Sequence, residues 1–343
     1  MLNGKRILIE DGVGIGDLVM ITPGLRKIKE LYPESIITFV TFGNNLPIIS
    51  RLPYIDKCEK WDNSLRGRMH SLRVIASQDY VIFRSYQPTL MRFAYYLRIP
   101  HRAGSCKAKN KSSVWMQRFP FNNDAKGCWD GEFVAGQLAE GLGVPLPIEH
   151  RCEVSSPNEA ETAQVDSLLK NAGVSSPYVV VVPFTDSGVS LSFDVVFAVV
   201  SYIKKKYGYS VIFVNAKKDP LIERCVREIG EGVFDFAGKT NLMQLIALLK
   251  GAAYGFTVDT GLMHIMGTFS IPMVAVFTSD LPEIWAPKEN CLPIRNPCPH
   301  SPCRGVTRQD CTGDKCNKYL NISEICSAID KVFCPMTAGG ECQ

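Results

Sequence analysis

The chain has 343 residues, 46% of them hydrophobic and 21% charged, with a formal net charge of +4. At about 150 residues per domain this length predicts two domains, each able to bury a core. The composition excludes a disordered chain, a collagen-like fibre and a coiled coil. The longest apolar stretches, such as residues 178–184 (YVVVVPF), fall far short of the ~18 needed to span a bilayer. The opening MLNGKRILIE enters a strand without an apolar signal core. A cytoplasmic protein without a membrane span is expected.

In chain order, residues 5–10 (KRILIE) read as a short buried strand, and a glycine-rich turn follows at 11–16. Leu18, Ile21, Leu25, Ile28 and Leu31 then keep helical spacing over 17–31, and Pro33 stops the helix. Residues 36–42 (IITFVTF) are a β-branched and aromatic strand. Strand, helix and strand within about 40 residues make a βαβ unit. A further strand is expected at 80–83 and a helix near 89–97. The second half repeats the pattern: strands at 178–183, 210–214, 254–258 and 273–277, and a helix over 193–207. Leu242, Leu245, Ile246, Leu248 and Leu249 form another helical stripe, capped by Thr240 or Asn241. Residues 155–177 are polar, hold one helix at 159–172, and mark the domain boundary.

The expected fold is α/β: two Rossmann-like domains with parallel sheets facing each other across a cleft. Domain limits are 1–160 and 175–316, the latter carrying a cysteine-rich loop at 291–316. Residues 317–343 form a C-terminal helix and tail. Ligands in such sheets sit at the carboxyl ends of the strands.

Charge is unevenly spread. Residues 80–123 contain no Asp or Glu, yet carry Arg84, Arg92, Arg98, Arg102, Lys107, Lys109, Lys111 and Arg118 among several aromatics. That stretch suits a phosphorylated substrate, an anionic membrane surface or a nucleic acid. It suits equally a core helix followed by a solvated loop.

Two turns carry chemistry. Gly12-Val13-Gly14-Ile15-Gly16-Asp17 has the wrong glycine spacing for a dinucleotide fingerprint, and no Gly-Lys-Ser/Thr follows. What remains is an aspartate at a helix N-terminus, which reads as an N-cap or as a general base. Asp259-Thr260-Gly261-Leu262-Met263-His264 follows a strand and opens a helix. Its first amides would suit a diphosphate, and Asp259 could accept hydrogen bonds from sugar hydroxyls. The plainer reading is a capped helix with His264 packed inside.

Gly14-Ile15-Gly16-Asp17-Leu18-Val19, then Pro23-Gly24-Leu25-Arg26 and Tyr32-Pro33, resembles the opening of the bacterial heptosyltransferases of lipopolysaccharide core synthesis. So do residues 237–242 (AGKTNL), 259–264 (DTGLMH) and 272–277 (PMVAVF) in the second half. The resemblance covers residues 5–295. It implies a GT-B fold and an inverting transfer of heptose from ADP-heptose, without a catalytic metal, to a sugar on lipopolysaccharide or on a glycoprotein. Asp17 matches the general base. Gly16, Thr185, Lys239, Thr240, Leu242, Asp259, Thr260, Gly261, Leu262, Met263 and His264 match donor-binding positions. The C-terminal helix would cross back onto the first domain. The enzyme would be cytoplasmic, at most peripheral on the inner membrane, and would bind no nucleic acid. A sugar-nucleotide or glycolipid binding protein of the same fold is the alternative. It is motivated by one departure: the family's lysine and Trp-Pro after the first strand of the second domain are replaced by residues 183–192 (PFTDSGVSLS).

Of 13 cysteines, 8 lie after residue 290. Cys298, Cys303, Cys311 and Cys316 fall within a loop rich in Pro and Gly, where four thiolates would suit a structural Zn or Fe. The tail resembles the iron-binding cysteine finger of the transferases that heptosylate autotransporter adhesins. Free reduced thiols, or disulfides formed only on oxidation, are the other readings.

Overall fold

The computed structural model describes residues 2–11, 14–41, 45–62, 64–105, 114–121, 128–147, 149–185, 190–303 and 313–333. The chain divides into two compact units, Met1–Ser155 and Ser156–Gln343.

In the first unit β1 (Arg6–Glu10), β2 (Ile36–Thr41), β3 (Lys57–Lys60), β4 (Tyr80–Phe83), β5 (His101–Ser105) and β6 (Arg118–Phe121) form a parallel sheet ordered β3-β2-β1-β4-β5-β6. Glu10 stands opposite Val40 of β2 and Phe83 of β4. The helices are α1 (Ile15–Met20), α2 (Thr22–Leu31), α3 (Leu65–Ala76), α4 (Pro88–Tyr96) and α5 (Asp130–Leu142). Alternate strand residues point to opposite faces. Leu8, Val81 and Phe83 therefore pack with Ile75 of α3 and with Leu90 and Met91 of α4. Ile82 points the other way, where a Cβ on Gly141 of α5 would meet it. On that face α2 packs closely on α5: a Cβ on Gly24 would lie 2.7 Å from Leu138 Cδ1.

The single helix expected over 17–31 is two. Pro23 has no N–H to give the Val19 carbonyl four residues back. The Thr22 hydroxyl donates to that carbonyl instead, at 2.6 Å. Ile21 is the joint between α1 and α2.

The second unit opens with α6 (Glu159–Ala172), held by a reciprocal cap between Asn158 and Glu161. Its strands are β7 (Tyr178–Val182), β8 (Ser210–Phe213), β9 (Val233–Asp235), β10 (Tyr254–Val258), β11 (Met273–Phe277) and β12 (Cys291–Arg295). Their order is β12-β11-β10-β7-β8-β9, all parallel. Read from the β9 edge this is third, second, first, fourth, fifth, sixth, the same order as in the first unit. β7, β10 and β11 are buried along their whole length, as continuous apolar runs in a doubly covered parallel sheet require. The helices are α7 (Phe193–Tyr207), α8 (Pro220–Ile229), α9 (Leu242–Lys250), α10 (Gly261–Thr268), the single turn α11 (Pro282–Trp285) and α12 (Ile322–Val332).

Helix α12 differs from expectation. The resemblance places it on the first domain. Its apolar face, Ile325, Ala328 and Ile329, lies instead in the core of the second unit with Val199, Val274 and Val276. Asp330 fixes it there, accepting from the hydroxyls of Tyr207 at 2.6 Å and Tyr202 at 2.8 Å and pairing with Lys206. The apolar stripe of α12 is thus spent on its own sheet. Among the described residues no helix is long and apolar enough to cross a membrane.

Candidate functional site

In each sheet the strand order reverses between its first and fourth strands, and the crevice outside their carboxyl ends is the natural ligand site. The residues singled out in the sequence lie along that edge in both units.

In the first unit the crevice lies between the ends of β1 and β4. Glu10 and Asp11, which end β1, are fully buried. Arg84, following β4, places Nη1 against Asp11 Oδ2. Burial pulls the Arg84 pKa down, but the carboxylates of Asp11, Asp17 and Asp130 more than offset this, and the guanidinium stays charged. Ser85 donates from Oγ to Glu10 Oε1 at 2.6 Å and from its N–H to Oε2 at 3.3 Å. Burial still pushes the Glu10 carboxyl up to about 8, so near neutral pH it is mostly protonated.

Asp17 sits in the first turn of α1, half-buried. It is not the cap. Gly14 occupies the N-cap position, and its N–H donates back to Asp17 Oδ2 at 3.0 Å. One carboxylate oxygen is thereby fixed to the helix start. Gly16 lies in the same turn. Gly12 and Val13, in the turn before it, lie outside the described residues.

In the second unit the crevice lies between β7 and β10. Asp259 ends β10, its N–H held by the Val276 carbonyl at 3.3 Å. Thr260 is the N-cap of α10 and is extended, with no side-chain cap hydrogen bond. Gly261 and Leu262 form the first turn, whose amides have no partner within the helix. Met263 and His264 turn inward and are buried. Burial lowers the His264 pKa to about 4, so the ring is neutral and packs in the core. Side-chain contact with a ligand is therefore open to Asp259, Thr260 and Leu262, all partly exposed, while Met263 and His264 support the turn from beneath.

Thr185 follows β7 and receives the Ser190 hydroxyl at its N–H, 3.2 Å away. Residues 186–189, in the segment where the expected lysine and Trp-Pro are missing, lie outside the described residues. Lys239 and Thr240 belong to the loop after β9, on the same carboxyl edge. Gly238 there adopts φ +69° and donates its N–H to Asn215 beyond β8 at 2.9 Å. Lys239 is exposed, its Nζ 5.4 Å from the centre of the Phe236 ring. Asn241, not Thr240, caps α9, in a reciprocal cap with Gln244, and Leu242 is its first residue. From β10 to β9 is three strand spacings, about 14 Å.

Cys298, Cys303 and Cys316 are buried, and Cys311 lies outside the described residues. Among the described residues, no group of three or more His, Cys, Asp or Glu is placed to hold a metal. The described thiols do not form a donor set. Hydrogen bonds to the main chain tie the loop's described residues together. The buried Asn296 side chain accepts from the Cys298 N–H at 3.0 Å and donates to the Cys316 carbonyl at 3.1 Å. The Cys303 N–H donates to the Ser279 carbonyl at 3.0 Å.

Sequence reasoning named Arg84 only within a run of cations and passed over Glu10, Asp11, Ser85 and Asp130. Their one signal was two consecutive acids ending an apolar strand, where a buried run would otherwise continue.

Two Rossmann-like units of one strand order, each with polar residues gathered at its switch point, match the two-domain architecture of the GT-B fold. Residues 92–311 match the model of glycosyltransferase family 9 (heptosyltransferase). Lipopolysaccharide heptosyltransferase 3 of Escherichia coli is 24% identical over 347 residues, covering 94% of this chain and 98% of that protein. Lipopolysaccharide heptosyltransferase 2 of Salmonella typhimurium is 24% identical, over 82% and 85% of the two chains. Among solved structures, a family 9 glycosyltransferase from Veillonella parvula superposes with a TM-score of 0.77 at 18% identity, covering 97% and 98%. ADP-heptose lipopolysaccharide heptosyltransferase II of E. coli gives 0.73 at 19%, covering 95% and 98%. An iron-containing dodecameric glycosyltransferase of enterotoxigenic E. coli gives 0.56 at 14%, covering 96% and 78%. The chain belongs to glycosyltransferase family 9, the heptosyltransferase family, and is a glycosyltransferase.

Proposed function

We propose that this enzyme transfers heptose from ADP-heptose to a hydroxyl of a sugar acceptor, with inversion at the anomeric carbon. The acceptor is the inner core of lipopolysaccharide or a related glycan on lipid or protein. The first unit binds the acceptor and the second unit the donor, and the enzyme works in the cytoplasm. The observation that carries this reading is the position of the two polar turns. Asp17 stands at the switch point of one sheet, and Asp259, Thr260 and Gly261 at that of the other. The family supplies the reaction class, and similar proteins whose names specify ADP-heptose supply the donor.

In this reading Asp17 takes the proton from the acceptor hydroxyl as its oxygen attacks the anomeric carbon. The bond from that carbon to the diphosphate oxygen breaks, and ADP leaves with the bonding electrons. A general base must lie within hydrogen-bond reach of the hydroxyl. The half-buried carboxylate of Asp17, fixed by Gly14 to the first turn of its helix, is preorganised for this. The leaving diphosphate gains charge, which the amides at the start of α10 and the Thr260 hydroxyl stabilise. Asp259 accepts hydrogen bonds from the heptose hydroxyls. Lys239, exposed on the same edge, contributes the cation that the segment after Thr185 lacks.

The test is a mass-spectrometric screen of transfer from a panel of nucleotide sugars onto core oligosaccharide, with wild type beside Asp17→Ala. Transfer from ADP-heptose by wild type alone supports the assignment. Turnover of another donor in its place overturns the donor, and full activity of Asp17→Ala overturns the base.

A further inference from the structure

Helix α3 carries a second apolar face. Its inner side, centred on Ser71 and Ile75, packs on the sheet. On the opposite side Leu65, Met69 and Leu72, spaced i, i+4 and i+7, form a ridge in solvent, and Leu65 is 78% and Met69 53% exposed. At about 100° per residue the three fall within roughly 60° of the helix circumference. Arg68 flanks the ridge on one side, and Arg66 and Arg73 flank it on the other, all three exposed. A large apolar ridge on the outside of a packed helix needs a partner.

The neighbouring surface extends this character. Helix α4 packs beside α3 on the same face of the sheet. It exposes Tyr96 at 73%, with Arg92 one turn before it and Arg98 just beyond the helix. From residue 65 to 121 the chain contains one acid, Asp79. That carboxylate is taken by Arg6, whose N–H donates to it at 2.8 Å. At the rim of α3, Glu59 pairs with His70 at 2.9 Å, and Asp62 receives the Ser64 hydroxyl at 2.6 Å.

We propose that the outer face of α3, continued by α4, docks the enzyme on an anionic lipid bilayer. Leu65, Met69 and Leu72 enter the headgroup boundary, and the arginines on both sides meet lipid phosphates. Charge complementarity selects this occupant: apolar side chains framed by cations on both flanks, with acids almost absent, match an anionic lipid surface. The tyrosine suits the same depth, with an apolar ring and a polar tip.

Co-sedimentation of the full chain with vesicles tests this. Wild type should bind phosphatidylglycerol/phosphatidylethanolamine vesicles, bind phosphatidylcholine vesicles far less, and detach as salt rises. The triple variant Leu65→Ser/Met69→Ser/Leu72→Ser should bind at least about tenfold more weakly. Each single Arg→Gln change at 66, 68 or 73 should weaken binding about fivefold. The melting temperature of these surface variants should stay at the wild-type value, which separates lost docking from lost folding. Equal vesicle binding by wild type and triple variant overturns the proposal. So does absence of vesicle binding combined with a wild-type dimer that the triple variant dissociates, because the ridge would then be a contact between protein chains.

Discussion

The carboxyl edges of the two sheets share a strand order and differ in chemistry. The first buries polar groups: Glu10 and Asp11 lie beneath the surface with Arg84 and Ser85, and Asp17 stands above them in the first turn of α1. The second buries apolar strand ends and offers a helix start with partly exposed Asp259 and Thr260. One topology thus presents a carboxylate in a fixed electrostatic setting at one edge and an open helix start at the other. The contrast suits a transferase, where one partner loses a proton while the other gains charge.

Separate losses at the two edges would sharpen that contrast. Asp17→Ala should cut the rate of transfer by about 10³ while donor affinity, read by calorimetric titration with ADP-heptose, stays unchanged. A parallel loss of donor binding would break the division of labour. Arg84→Met removes the cation facing the buried Asp11 and should cost about 3 kcal/mol of stability, read by chemical denaturation. Asp259→Ala should weaken donor binding about tenfold with little effect on stability, which the same titration measures.

The two edges also differ in pH dependence, where their signs are opposite. Folded Glu10 holds its proton up to about 8, against an ordinary value of 4.5. Its contribution is full below 4.5 and is lost as pH rises toward 8, at a limiting slope of about 1.4 kcal/mol per pH unit. Glu10→Gln should flatten that loss. Buried His264 resists protonation down to about 4, against 6.5 when exposed. Its contribution is present above 6.5 and is lost as pH falls toward 4. His264→Gln should flatten the acid limb, measured by denaturation across that range.

Much of the fold was legible because buried parallel strands are written as apolar runs. The strands at 36–41, 178–182, 254–258 and 273–277 stand out for that reason. β3 (KCEK) and β5 (HRAGS) did not, since edge position and close packing remove the apolar signal. Helix α3 was hidden because its apolar residues lie on two faces and blur the period. The break at Ile21 depended on the missing N–H of Pro23, which a count of apolar spacing ignores. At the site, the turns at Asp17 and Asp259 were visible as polar residues between strand and helix. The partnership of Glu10, Asp11 and Arg84 was not, because charged residues 73 positions apart meet only once β1 and β4 pair.

The seating of α12 has a consequence for handling the protein. The last helix closes the second sheet from within its own unit, with Ile329 fully buried and Asp330 tied to two tyrosines and Lys206. A fragment spanning residues 156–333 therefore keeps every described helix of the second unit. Cut before Asn321, the same fragment would lose Ile325 and Ile329 and expose valines of β11. The C-terminal limit of the second unit is thus set by one helix.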